Sequence, residues 1–216
     1  MTDEILIHQA GLTRYKAGLQ LQADFAGEVR AGGSHGVIIA IRHPAVITMG
    51  RRASESELHV TPERLAELGI DLFNVDRGGG ATFHYPEQAV LYPILNLTAL
   101  KLTVPALLKI SGDAVLEALK SHGVQGFWDE SRPGVYMPDG AKIASVGYHL
   151  SKGLTTHGIA INTGRGWDGF KLIDPCKVAN QKITSVQDLT GVAPDPDQFA
   201  LAVASSMKRM LGAGRT

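Results

Sequence analysis

Residues 76–88 read Asp76-Arg77-Gly78-Gly79-Gly80-Ala81-Thr82-Phe83-His84-Tyr85-Pro86-Glu87-Gln88. Three consecutive glycines follow the apolar run 70–75. Without a Cβ they can take positive φ and let the backbone come close to a ligand. The loop lacks the Lys-Ser/Thr pair of a phosphate-binding loop and the spacing of a dinucleotide fingerprint. On its own it therefore reads equally well as a structural turn and as a ligand loop. The run 70–75 is the strand that delivers the loop, and the apolar stretch 89–97 is the strand that leaves it. Pro93 inside that second strand suits an edge position or a bulge.

Working outward, residues 5–7 make a short opening strand, and Leu12, Tyr15, Leu19, Ala23, Ala26 and Val29 recur at helical spacing, ending at Gly32-Gly33. The β-branched run 37–41 is a buried strand, and 46–49 a second one beyond His43-Pro44. Thr61-Pro62-Glu63 and Thr103-Val104-Pro105 each open a helix with a cap residue and an early proline. From Val124 the pattern is strand and turn, with Pro138-Asp139-Gly140 and Ser151-Lys152-Gly153 as turns of a β-meander. The glycines of 164–169 suit a lid, and residues 196–211 form a terminal amphipathic helix. This is a mixed α and β chain, and its 216 residues suit one domain, 1–216, able to bury about 70% of its unfolded surface.

Lys plus Arg equal Asp plus Glu at 21 each, so no global field draws nucleic acid or an anionic membrane. The acidic start Met-Thr-Asp-Glu does not read as a secretory signal, and no apolar run approaches a membrane span, which points to a soluble, cytoplasmic protein. A single cysteine, Cys176, excludes an intramolecular disulfide and a Cys-rich zinc site. The eight histidines show no metal-ligand spacing. Cys176 in Asp174-Pro175-Cys176-Lys177 stands in a polar loop context, where a nucleophile competes with the commoner reading of a small buried residue. Lys142 lies inside the apolar run 141–147, where a lysine needs a partner.

Taken together, the motifs resemble the octanoyl (lipoyl) transferases of lipoate biosynthesis, in the lipoate and biotin protein ligase superfamily. They are His43-Pro44 with Thr48 and Gly50; Arg77-Gly78-Gly79 with Thr82, His84, Pro86 and Gln88; Tyr92-Pro93-Ile94; residues 140–144; His157-Gly158 with Asn162; and Ile173 with Pro175-Cys176. Glu87 and Lys177 stand where that family usually has glycine.

The resemblance implies an α+β fold, a mixed and largely antiparallel sheet arrangement packed by helices, like the catalytic domain of those ligases. It implies an acyltransferase that takes an octanoyl or lipoyl group from acyl carrier protein as a thioester and passes it to a lysine of a lipoyl domain. Acceptors would be the lipoyl domains of 2-oxoacid dehydrogenases and the glycine cleavage H protein. Cys176 is then the nucleophile and Lys142 its activator and general acid/base, since only the thiolate attacks and a neighbouring ammonium favours it. The acyl site would be lined by Arg77, Gly78, Gly79, Gly80, Ala81, Thr82, Phe83 and His84, by Ser145, Val146 and Gly147, and by His157, Gly158, Ile159 and Ala160. No cofactor or metal is implied, and the enzyme would act as a monomer. An acidic carrier would give Arg42, Arg51 and Arg52 a steering role. Two alternatives remain open at this point: an ATP-dependent lipoate ligase, which needs no nucleophilic cysteine, and a non-catalytic acyl-binding or scaffold protein.

Overall fold

The computed structural model of the chain describes residues 2–175 and 181–213. In chain order the strands and helices are β1 (Thr2–Leu12), α1 (Tyr15–Arg30), β2 (Ser34–Arg42), β3 (Val46–Met49), α2 (Pro62–Glu67), β4 (Asp71–Asn74), β5 (Ala81–His84), β6 (Gln88–Leu95) and α3 (Val104–Ser121), then β7 (Phe127–Asp129), β8 (Gly134–Tyr136), β9 (Lys142–Ser151), β10 (Leu154–Asn162), α4 (Val186–Thr190) and α5 (Pro196–Ala213). Among the described residues the strands form two sheets, one ordered β1-β2-β6-β10-β9-β8-β7 and a smaller one ordered β4-β3-β5. Among the strands described, only the β1–β2 and β3–β4 pairs are parallel, so the architecture is α+β and largely antiparallel. No helix among the described residues is long and apolar enough to cross a membrane.

The period-two alternation of the central strands divides the core. In β2 and β6, Ile38, Ala40, Ala89, Leu91 and Leu95 enter one cluster with the inward faces of α3 and α5, including Leu107, Val115, Phe199 and Met207. The alternate residues Val37, Ile39, Ile41, Val90, Tyr92 and Ile94 enter a second cluster under α1, with Ala26 and Val29. The small sheet carries a third cluster of its own, Ile47, Leu65, Ala81, Phe83 and Phe170 among it. Both long strands are thus apolar on two faces, which is why their sequence runs show no alternation.

Helix starts follow the caps: the Thr61 and Thr103 hydroxyls accept from Arg64 N and Ala106 N, each at 3.3 Å. Strands β7 to β10 form the meander. Ser151 pairs with Leu154 around Lys152 (φ 51°) and Gly153 (φ 78°), the two left-handed residues of a two-residue hairpin.

Three expectations change. The opening strand runs on to Leu12, so α1 starts at Tyr15 and buries Gln22 where Ala23 stands exposed. Pro93 lies in β6 with neighbours on both sides, opposite Ile38 of β2. It is tolerated because the β6–β10 ladder stops at Leu91–Ile159. Beyond that point the Thr155 hydroxyl replaces the ladder, donating to Pro93 O at 2.6 Å and accepting from Leu95 N at 2.9 Å. The Pro93 carbonyl, and with it the nitrogen that lacks a proton, faces this gap. The third change concerns 164–169, which is tied down rather than lid-like. Tyr85 OH bonds Gly164 O at 3.1 Å, Trp167 Nε1 bonds Asp188 at 2.8 Å, and Gly169 lies against the Phe83 ring.

Candidate active site

A cavity lies between the α1-facing side of the large sheet and β5 of the small one, with about 530 Å³ of empty space, its open mouth included. Its floor is made of small or branched residues from three adjacent strands. Val90, Ala160 and Ser145 stand at one level and Gly158 and Gly147 at the next, as the register of β6, β10 and β9 requires, and Tyr92, past the last β6–β10 pair, also lines the space. Thr82 and His84 come from β5, Tyr15 from the start of α1, and Arg77, Gly78 and Gly79 from the glycine loop.

The loop reaches the large sheet by a close backbone approach. Gly78 N donates to Tyr148 O at 3.0 Å, and a Cβ on Gly147 would stand 3.0 Å from Gly78 O. Of the three loop glycines only Gly79 has a positive φ, 94°. On its other side the loop is held by residues 50–52, where Gly50 N, Arg51 N and Arg52 N donate to Gly80 O, Arg77 O and Gly79 O. Arg77 is buried, its Nε and Nη2 bound to the Thr48 hydroxyl at 3.1 and 2.8 Å and its Nη2 also to the Thr48 carbonyl.

Lys142 is 4% exposed and owes its direction to a β-bulge. Strand β8 pairs Val135 with Ala144 but Tyr136 with Lys142, so Ile143 is extra. Ile143 and Ala144 both enter the α3/α5 core, and Lys142 and Ser145, three apart, both line the cavity. The Lys142 ammonium lies 5.3 Å from the Tyr136 ring centroid, within cation–π range. Its backbone is pinned by Lys142 N to Lys182 O at 2.8 Å and Thr184 N to Lys142 O at 3.0 Å.

A chain of buried amides connects the far wall to that anchor. His84 Nδ1 meets Gln88 Oε1 at 2.7 Å, Gln88 Nε2 donates to Asn162 Oδ1 at 2.9 Å, and Asn162 Nδ2 donates to Thr184 O at 3.0 Å. Gln88 and Asn162 therefore hold β6, β10 and the Lys142 partner segment in one register, a role that their motif positions alone do not disclose.

Three imidazoles stand at the Tyr15 end. Burial, helped by the positive charges of neighbouring groups, lowers His84 to about 3. Burial lowers His43 to about 4, and burial followed by the Arg77 charge lowers His157 to about 4. All three are neutral at neutral pH. His157 has φ 57° and is held there by its N–H bond of 2.7 Å to the buried Gln22 side chain. Among the described residues no group of three or more His, Cys, Asp or Glu could hold a metal ion.

Of the residues assigned to catalysis or to an acyl site, Lys142 and Arg77, Gly78, Gly79, Thr82, His84, Ser145, Val146, Gly147, His157, Gly158, Ile159 and Ala160 come together around the cavity. Ala81 and Phe83 do not. They alternate with Thr82 and His84 along β5 and point into the core of the small sheet. Gly80 lines an adjoining cavity instead, and Cys176 lies outside the described residues. Tyr15, Val90 and Tyr92 also line the cavity. Tyr15 read as one more apolar position of α1, and nothing local sets it apart.

The supposed basic group separates. Arg42 is paired with Asp197 at the start of α5 at 3.1 Å, while Arg51 and Arg52 line different clefts. Glu87 borders neither cavity. Its carbonyl accepts from Gly164 N at 2.9 Å and from the Thr163 hydroxyl at 2.6 Å.

Residues 14–208 match the family described as the lipoyl protein ligase A/B catalytic domain. The chain belongs to that family. Within the family it groups by sequence with octanoyltransferases. It is 34% identical to the octanoyltransferase of Myxococcus xanthus over 94% of this chain, although it spans only 58% of that relative's length. It is 33% identical to the octanoyltransferase of Koribacter versatilis over 87% of this chain and 76% of that relative. Its fold is also that of solved lipoate and biotin protein ligases. The bipartite lipoate protein ligase of Thermoplasma acidophilum, studied with its E2 lipoyl domain, superposes with TM-score 0.73 at 18% identity, covering 97% of this chain and 84% of that one. Biotin protein ligase from Aquifex aeolicus does so with TM-score 0.56 at 15% identity, covering 97% of this chain and 70% of that one.

Proposed function

We propose that this member of the octanoyltransferases takes an octanoyl group from acyl carrier protein onto Cys176 and passes it to the lysine amine of a lipoyl domain, in the cytoplasm. The observation that carries the reading is the cavity itself. It is a narrow space floored by Gly147, Gly158, Ala160 and Val90, with a buried lysine at its border and aromatic and neutral imidazole groups at the Tyr15 end. An extended acyl chain lying on such a floor gains about 0.8 kcal/mol for each CH₂ it buries.

The sequence neighbours of Cys176 support its role. Pro175 bridges Ala81 just after the glycine loop, and Ile183 bridges Lys142. Both described flanks of residues 176–180 are therefore attached beside the cavity.

In the first half-reaction the Cys176 thiolate attacks the thioester carbonyl. The carrier's sulfur leaves with the bonding electron pair and takes a proton from the Lys142 ammonium. In the second, the acceptor amine attacks the enzyme thioester and gives a proton to neutral Lys142, and Cys176 departs as thiolate. The thioester carries its own activation, so neither half-reaction needs a nucleotide.

Mass spectrometry of the protein incubated with octanoyl carrier protein tests this. The expected result is one octanoyl adduct on Cys176, absent from Cys176→Ser, and acylation slowed by about 10² or more in Lys142→Met at neutral pH. Full transfer by Cys176→Ser, or transfer from free octanoate that requires ATP, would contradict the reading.

A further inference from the structure

The acyl cavity adjoins a second, wider one that shares Gly78, Gly79, Lys142, Val146 and Gly147 with it and has about 1380 Å³ of empty space, open mouth included. One wall of this second cavity is apolar: Val104, 39% exposed at the start of α3, with Leu108, Pro133 and Tyr136. Two arginines, Arg52 and Arg132, stand on its border. Arg52 is exposed, and its amide is fixed to Gly79 O at 3.1 Å, so its side chain starts beside the glycine loop. The guanidinium carbon of Arg132 stands over the Tyr136 ring, 4.6 Å from its centroid, and the side chain uses Nε and Nη2 on Asp129. Its orientation is thereby set in advance, with the Nη1 amino group beyond those two bonds.

We propose that this second cavity receives the prosthetic arm on which an acyl thioester is carried, with the arm's amide-bearing stem along the Val104–Leu108 wall and its phosphodiester met by Arg52 and Arg132. The assignment rests on the function proposed above and adds the place and chemistry of donor entry. Charge decides between the two substrates that must reach Lys142. Guanidinium groups match a phosphodiester by charge and by their paired N–H geometry. They repel the ammonium of an acceptor lysine. Arg51 is the natural comparison, because it neighbours Arg52 in sequence but lines a separate cleft with Asn74, Val75 and Asp76.

The test uses two unreactive thioethers, S-octyl-4′-phosphopantetheine and its dephosphorylated form, titrated calorimetrically against the full chain. The wild-type protein is expected to bind the phosphorylated compound about a hundredfold more tightly, in line with two charge-assisted contacts. Arg52→Ala and Arg132→Gln should each remove most of that preference while leaving affinity for the dephosphorylated compound unchanged, and Arg51→Ala should retain it. Absence of a phosphate preference in the wild type, or equal losses with both compounds, overturns the assignment. So does ATP displacing the phosphorylated compound at matched concentration, since the phosphate site would then belong to a nucleotide. In steady-state assays a raised KM for the acceptor domain alone would give the cavity to the acceptor and also overturn it. A protein that keeps the phosphate preference but transfers no octanoyl group supports the site and counts against the proposed function.

Discussion

His43 Nδ1 lies 2.7 Å from the Thr13 carbonyl, which can only accept, so in the neutral ring Nδ1 carries the proton and Nε2 is an acceptor. The Tyr92 hydroxyl, 2.7 Å from Nε2, must then be the donor. This fully enclosed pair sets the position of a ring that lines the acyl cavity. Tyr92→Phe keeps the ring's shape but leaves the His43 lone pair buried without a partner. The expected loss is about 1–3 kcal/mol of stability, read as a lowered urea midpoint at constant slope. A midpoint equal to wild type would mean that His43 finds another partner. Lys142 is decided at the same scale by a single extra residue, because without the bulge at Ile143 its side chain would take the other face of β9.

Among the elements, the glycine loop depends on the short 3-10 turn Glu55–Glu57. The buried Glu57 carboxylate accepts from Ser54 N at 2.9 Å and from Ala81 N at 2.6 Å, and its backbone carbonyl accepts from Asp174 N at 2.9 Å. One residue thus joins the loop's exit to the segment that leads to Pro175. Glu57→Gln preserves volume but sets an N–H₂ group against one of two N–H donors. The expected cost is about 2–3 kcal/mol, accompanied by faster amide exchange at Ala81 and Asp174 than in the rest of the small sheet. Unchanged protection at both amides would show that the loop is held by residues 50–52 alone.

For the whole molecule the three neutral histidines set a pH dependence. His43, His84 and His157 have folded values of about 4, 3 and 4, below the unfolded value of about 6.5. As pH falls from about 6.5 towards 4, the unfolded chain takes up protons at these positions and the folded chain does not. Stability is therefore fully present above about pH 6.5 and is lost progressively below it, by up to about 3 kcal/mol for each imidazole across the window. Urea midpoints at pH 7.5, 6 and 5 should decline in that order, and His84→Gln should flatten the decline. A midpoint constant from pH 7.5 to 5 would exclude the assignment of neutral, buried imidazoles.

Read alone, the sequence determined the local structure and the chemical inventory. Runs such as 37–41, the Thr-capped helix starts and the turns at Asp139-Gly140 and Lys152-Gly153 depend on steric preferences within a few residues, and they form where those preferences point. The ordered motifs also identified the family, because each retains residue types that a shared site requires. Tertiary structure decided which of those residues meet. Alternation along β5 turned Ala81 and Phe83 away from Thr82 and His84, a bulge turned Lys142 towards the cavity, and α1 delivered Tyr15 from far outside the motifs. It also separated Arg42, Arg51 and Arg52 onto three surfaces and set Pro93 in the sheet interior against a gap filled by Thr155. Register, bulges and the pairing of distant strands are set by contacts between segments remote in sequence, and local preferences do not encode that geometry.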